Sequence, residues 1–197
     1  MVNAPLSQGR LPVSQKHAIV TSLLKKMGLD SSDMNNFRPV SNLSFISKVV
    51  ERVVTSQLHL AYLAANDLLP RFQSAYRKYH STKTAMQRVW FDILVAADDR
   101  QVTLRGLLDL SAAFDCIDHS MLLERLQSAF GLTDLVLDWV RSFLTDRTQQ
   151  IAYSGHLSSV PLVLFGVLQG SVLGPLLYVL YTAELALVVD RHVLSLH

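Results

Sequence analysis

The sequence predicts an α+β fold, and three observations carry that prediction. Segments whose apolar residues recur three and four positions apart alternate with short apolar runs of strand length. Ser, Thr, Gly and Pro punctuate the boundaries between them. Half of the 197 residues are hydrophobic, which excludes a disordered chain and suffices for one domain with a sizeable core.

The elements follow in order. Residues 1–35 hold a basic patch, Lys16-His17 and Lys25-Lys26, around the apolar run 18–24, read as a strand or an irregular arm. Over residues 43–63, Ile46, Val49, Val50, Val53, Val54 and Leu58 form a helical stripe, with Ser44 as N-cap. A loop with Pro70 follows, and then Ser81 caps a helix over 82–97 that turns Ala85, Val89, Ile93 and Ala96 to one side. Residues 102–109 read as a strand apolar enough to be buried on both faces, ending at Asp109. Ser120 opens a helix through Phe130, closed by Gly131, and Thr133 caps another over 134–144. Residues 149–153 and 159–164 read as a hairpin, and the Gln169-Gly170-Ser171 loop leads into a last helix over 172–187.

Charge is unevenly distributed. Residues 1–98 hold 12 Lys/Arg against 6 Asp/Glu, and residues 99–197 hold 6 against 10. A basic half followed by an acidic half suits a polyanion grip beside a cation site, although Lys and Arg also decorate ordinary helix faces. Cys116 is the single cysteine, so no intrachain disulfide forms, and residues 1–12 lack the apolar core of a signal peptide. An intracellular, non-secreted protein is expected. Cys116, Asp118 and His119 lie close together, but a structural zinc site wants four ligands, so a turn is the better reading. A competing functional reading is a small membrane protein. Residues 160–181 are almost uncharged and carry Gly166, Gly170 and Gly174 at four-residue spacing, with Gln169, Ser171, Pro161 and Pro175 arguing against it.

Two segments carry the chemistry: Leu107-Leu108-Asp109-Leu110-Ser111-Ala112-Ala113-Phe114-Asp115 and Gly166-Val167-Leu168-Gln169-Gly170-Ser171-Val172-Leu173-Gly174-Pro175. A carboxylate at the end of a buried strand is costly unless a cation neutralises it, and the alternative is an Asp that caps a turn. Three further blocks precede them: Asn36-Phe37-Arg38-Pro39-Val40-Ser41-Asn42-Leu43-Ser44, then Lys48-Val49-Val50-Glu51-Arg52, then Gln73-Ser74-Ala75-Tyr76-Arg77-Lys78-Tyr79-His80-Ser81-Thr82. Together, in this order, the five blocks resemble the reverse transcriptase domain of non-LTR (LINE-type) retrotransposons.

That resemblance implies a right-hand polymerase, with fingers and part of a palm built from helices packed on a small antiparallel sheet. Residues 1–35 would be the basic arm at the start of the fingers, and 36–197 a partial reverse transcriptase domain. It implies RNA template, DNA primer and dNTP as partners, no membrane, and Mg²⁺ or Mn²⁺ as cofactor. Asp109 would be the catalytic, metal-bridging carboxylate for two ions about 4 Å apart. Leu110, Ser111 and Ala112 would lie near the triphosphate, and Phe114 would stack on the sugar unless it is simply a core aromatic. Gln169 and Gly170 would pack on the incoming nucleotide, although the family usually has proline where Leu168 stands. Arg38 would reach the triphosphate, a task for which a guanidinium is well shaped. Arg77 and Lys78, and more weakly Lys16, Lys25 and Lys26, would hold nucleic-acid backbone. Asp115 and Asp118 are read as partners for nearby backbone groups.

The family's Tyr-x-Asp-Asp hairpin is expected shortly after the Gln-Gly-Ser helix, but residues 194–197 read Leu-Ser-Leu-His. Asp98-Asp99 precedes the Asp109 segment and is not that hairpin, and no thumb is present. The expectation is therefore a truncated fragment with an incomplete palm: marginally stable, catalytically inactive, and either an enzyme remnant or a non-catalytic nucleic-acid-binding module.

Overall fold

A computed structural model describes residues 8–70, 73–110, 112–192 and 194. The basic arm becomes β1 (His17–Leu24), which pairs antiparallel with β2 (Phe37–Asn42), so that Val20 faces Ser41 and Leu23 faces Arg38. Helix α1 (Phe45–Ser56) starts at Ser44, whose hydroxyl accepts the Ser47 N–H, and continues as a π-helical stretch (Gln57–Leu63). Helix α2 (Thr82–Asp98) is closed at its start by a reciprocal box: Ser81 Oγ accepts the Thr84 N–H, and Thr84 Oγ1 accepts the Ser81 N–H.

Helix α3 (His119–Ser128) is capped by Asp118, whose carboxylate accepts the Met121 N–H at 2.8 Å. Its start thus falls just before the predicted Ser120. It ends at Ser128, two residues before the predicted Phe130; Gly131, at φ +65°, follows in the turn, with the amides of Gly131 and Leu132 donating back to Gln127 and Leu126. Helix α4 (Asp134–Leu144) begins where predicted, but Thr133 makes no side-chain cap; its hydroxyl donates to the Asp134 carboxylate instead. After β3 (Arg147–Tyr153), β4 (His156–Leu157) and β5 (Leu162–Val163), the predicted last helix is split into α5 (Gly174–Thr182) and α6 (Glu184–Arg191).

The sheet runs β2-β1-β3-β4, with β5 also on β3. It is mixed rather than wholly antiparallel: β1 and β3 are parallel, His17 opposite Thr148 and Thr21 opposite Ala152. A parallel pair needs a long crossover, and α1 to α4 supply it. The main core lies among the helices. Val50, Val54 and Leu58 of α1 and its extension pack with Leu122 and Leu126 of α3, Val140 and Phe143 of α4, and Leu173, Leu177 and Leu180 around α5. A smaller cluster, Ala18, Leu43 and Leu168, lies under the sheet.

Two expectations are corrected. Residues 102–109 form no strand: Val102 and Leu104 are 99% and 97% exposed, and Leu107, Leu108 and Asp109 are exposed as well. A strand exists only by pairing its backbone, and among the described residues none pairs with this segment. Apolar composition alone did not make it one. Helix α2 shares this lack of cover. Its predicted face, Ala85, Val89, Ile93 and Ala96, is half-buried, but no residue of the helix is fully buried. The membrane reading also fails: residues 160–181 divide into β5, a loop and α5, and no described helix is long and apolar enough to cross a bilayer.

Burial sets the expected response to truncation. Leu177→Ala, at a fully buried position, should cost about 2–5 kcal/mol in urea denaturation. Leu104→Ala should cost under about 0.5 kcal/mol. A large loss at Leu104 would show that its segment is packed in solution.

Candidate nucleotide-binding site

The two segments that carry the chemistry meet through their main chains. Val167 N–H donates to Phe114 O and Gly166 N–H donates to Ile117 O, each at 2.8 Å. His119 Nε2 donates to Gly166 O at 2.8 Å, so the Cys116-Asp118-His119 group is a turn that joins two loops. The approach requires glycine. Gly166 has φ +80°, and a Cβ there would lie 2.7 Å from Phe114 O.

Four residues on, the same loop docks on the free edge of β2. Ser41 N–H donates to Gln169 O at 2.6 Å, and a Cβ on Gly170 (φ +117°) would stand 2.6 Å from Ser41 O. Gln169 is half-buried and Gly170 exposed, while Leu168 is buried with Ala18 and Leu43. Arg38 lies three residues earlier on β2, exposed. The phosphate-facing candidate Arg38 and the loop candidates Gln169 and Gly170 therefore share one strand edge. Phe114 is half-buried, its ring 5.1 Å from that of Tyr178 and packed on one side against the core.

Other candidates stand apart. Asp109 is exposed within the unpaired segment. Leu110 lines an open cleft of about 730 Å³ together with Leu68, Leu69, Phe130, Tyr178 and Arg125. Ala112 is exposed with φ +51°, and Ser111 lies outside the described residues. Among the described residues no three His, Cys, Asp or Glu side chains cluster closely enough to hold a metal ion. The donor set for a pair of divalent ions is thus not assembled by these residues.

The basic candidates divide. Lys25 and Lys26 are exposed beyond β1, Lys78 is exposed with its ammonium 4.9 Å from the Tyr79 ring, and Arg77 is half-buried in the same loop. Lys16 is a correction. It is not on an exposed patch but buried, 3.8 Å from Asp146, and burial pulls its pKa below the usual lysine range.

Residues 23–195 match the family model described as reverse transcriptase (RNA-dependent DNA polymerase). The chain belongs to this family. The reverse transcriptase chain is 31% identical over 183 residues to the RNA-directed DNA polymerase from the mobile element jockey of Drosophila melanogaster. It is 32% identical over 183 residues to a probable RNA-directed DNA polymerase from transposon BS of the same fly. In each case the match covers 93% of this chain and 20% of the relative, so the chain spans about a fifth of the length of these curated relatives. A truncated apo telomerase from Candida tropicalis shares the fold, with a TM-score of 0.53 and 14% identity over 91% of this chain and 40% of that one. The α+β reading and the LINE-type reverse transcriptase domain are thereby established.

Sequence reasoning missed the polar residues buried behind this reverse transcriptase loop. Glu51 is fully buried and accepts from the hydroxyls of Ser47 (3.1 Å) and Ser171 (2.6 Å) and from the amides of Val172 (2.7 Å) and Leu173 (3.2 Å). Arg147 is 3% exposed; its Nε donates to Phe143 O and its guanidinium lies 4.3 Å from the Phe143 ring, while neither terminal nitrogen has a hydrogen-bond partner among the described residues. Burial pushes its pKa down to about 10, against the pull of Glu51. A signal for Glu51 existed: Ser47, Glu51, Val54 and Leu58 follow one helical face, and a carboxylate on an apolar face needs partners.

Alanine substitutions separate conformational strain from close approach. Gly155→Ala, where φ is +78° and nothing lies within 4 Å, should cost about 1–2 kcal/mol. Gly166→Ala and Gly170→Ala add a main-chain collision and should cost about 3 kcal/mol or more by denaturation. Equal costs at all three sites would contradict the packing described.

Proposed function

We propose that residues 1–197 form the fingers and part of the palm of a retrotransposon RNA-directed DNA polymerase. In this reading the surface around Arg38, Phe114, Gln169 and Gly170 receives the incoming deoxynucleoside triphosphate. The observation that carries it is the docking of the Gly166–Gly170 stretch between the Phe114–Ile117 turn and β2. A flat base packs well against glycine backbone, and Arg38 on the same strand offers a bidentate phosphate donor. Arg77, Lys78, Lys25 and Lys26 would hold template backbone electrostatically, without reading its sequence.

The polypeptide 1–197 by itself is proposed to bind nucleic acid without polymerising it. Nucleotidyl transfer draws several kcal/mol of transition-state stabilisation from paired metal ions; Asp109 is exposed and, among the described residues, joins no cluster of metal-ligating side chains. Primer extension by residues 1–197 with Mg²⁺ or Mn²⁺ should yield no product; template-dependent DNA synthesis would refute inactivity. Filter binding of an RNA–DNA duplex across a salt series should show affinity falling steeply with salt. A weak, flat response would remove the nucleic-acid grip.

A further inference from the structure

We propose that Glu51 is a positioning residue that sets the shape of the Gln169–Gly170 loop by anchoring the helix start behind it. This inference rests on the reading of that loop as the nucleotide surface. Leu168, the residue before Gln169, lacks the ring by which a proline would fix φ, so the loop is held by contacts instead. Those contacts lie on both sides. On the outer side, Ser41 N–H holds Gln169 O. On the inner side, the Glu51 carboxylate takes the Ser171 hydroxyl and the amides of Val172 and of Leu173, the N-cap residue, which lie just before the first turn of α5.

The arrangement is charge-assisted and reciprocal. Ser171 Oγ donates to Glu51 and accepts the Gly174 N–H at 2.9 Å, so one serine joins carboxylate and helix. A negative charge at a helix N-terminus is favoured by the aligned peptide dipoles. Glu51 itself cannot drift: Ser47 holds its other oxygen one turn earlier on α1, and the side chain is wholly buried. Arg147 contributes positive potential from β3. Removing the charge should free the loop from one side, and the release should be felt at Ser41.

The test uses residues 1–197 with two variants. E51Q keeps the side-chain volume and one acceptor but removes the charge; S171A removes the bridging hydroxyl and carries the test by itself should E51Q fail to fold. Amide hydrogen exchange and ¹H–¹⁵N spectra are recorded, and affinity for dGTP with Mg²⁺ is titrated. Exchange should accelerate roughly tenfold at Val172 and Leu173 and also at Ser41. Val20 and Ile151 in the sheet should keep their rates, and the Val172 amide proton should move upfield in E51Q. Affinity for dGTP should fall in both variants. Unchanged exchange at Ser41 would reduce Glu51 to a local helix cap and overturn the proposal. So would uniform acceleration that includes Val20 and Ile151, which marks general destabilisation. If the wild-type chain binds no dGTP, the nucleotide reading fails, while the exchange rates still decide the role of Glu51.

Discussion

Two short hydrogen bonds, from Val167 to the Phe114 carbonyl and from Gly166 to the Ile117 carbonyl, close an excursion of the chain that contains α3, α4 and the β3–β5 strands. The closure works because position 166 has no side chain: a Cβ would collide with the main chain of Phe114 and Asp115. Everything proposed for the site depends on this contact. It fixes where the Gln169–Gly170 loop begins, and the edge of β2 fixes where it turns.

Behind the loop the molecule buries charge. Lys16 and Arg147 are both buried, and each loses proton affinity to desolvation. Glu51 is the anion between α1 and α5, with four donors satisfying it. A buried carboxylate so completely satisfied specifies one arrangement of the elements it joins, because any other leaves a charge without partners. Among the described residues the terminal nitrogens of Arg147 have no hydrogen-bond partner, so this side of the network is the more costly one. The specificity of the arrangement is drawn from Glu51.

Much of the fold was legible because local rules were strong. Ser44 and Ser81 declared their helices, Gly131 marked the turn after α3, and the stripe over residues 43–63 lay along α1 and its π-helical extension. The failures share one cause: local pattern says what an element can bury, not whether a partner exists. Residues 102–109 read as a buried strand and stand exposed, and the parallel pairing of β1 with β3 had no local signature. Lys16 looked like surface charge because nothing nearby in sequence showed that the start of β1 packs beside Asp146. At the site, the blocks identified the family and its loops. The network joining Glu51 to Ser171 spans 120 positions and becomes visible only when the chain is folded.

The exposed apolar segment over 102–110 and the exposed side of α2, with Trp90, Phe91 and Leu94, lie apart from the Glu51–Ser171 network. They carry Asp109 with them, so the nucleotide surface proposed here is built without it. The most direct measurement is ¹H–¹⁵N mapping of residues 1–197 titrated with dGTP. Perturbations should concentrate at Arg38, Ser41, Phe114, Val167, Gln169 and Gly170, the surface proposed for the nucleotide. Perturbations confined to the cleft lined by Leu68, Leu69, Phe130 and Tyr178 would contradict it.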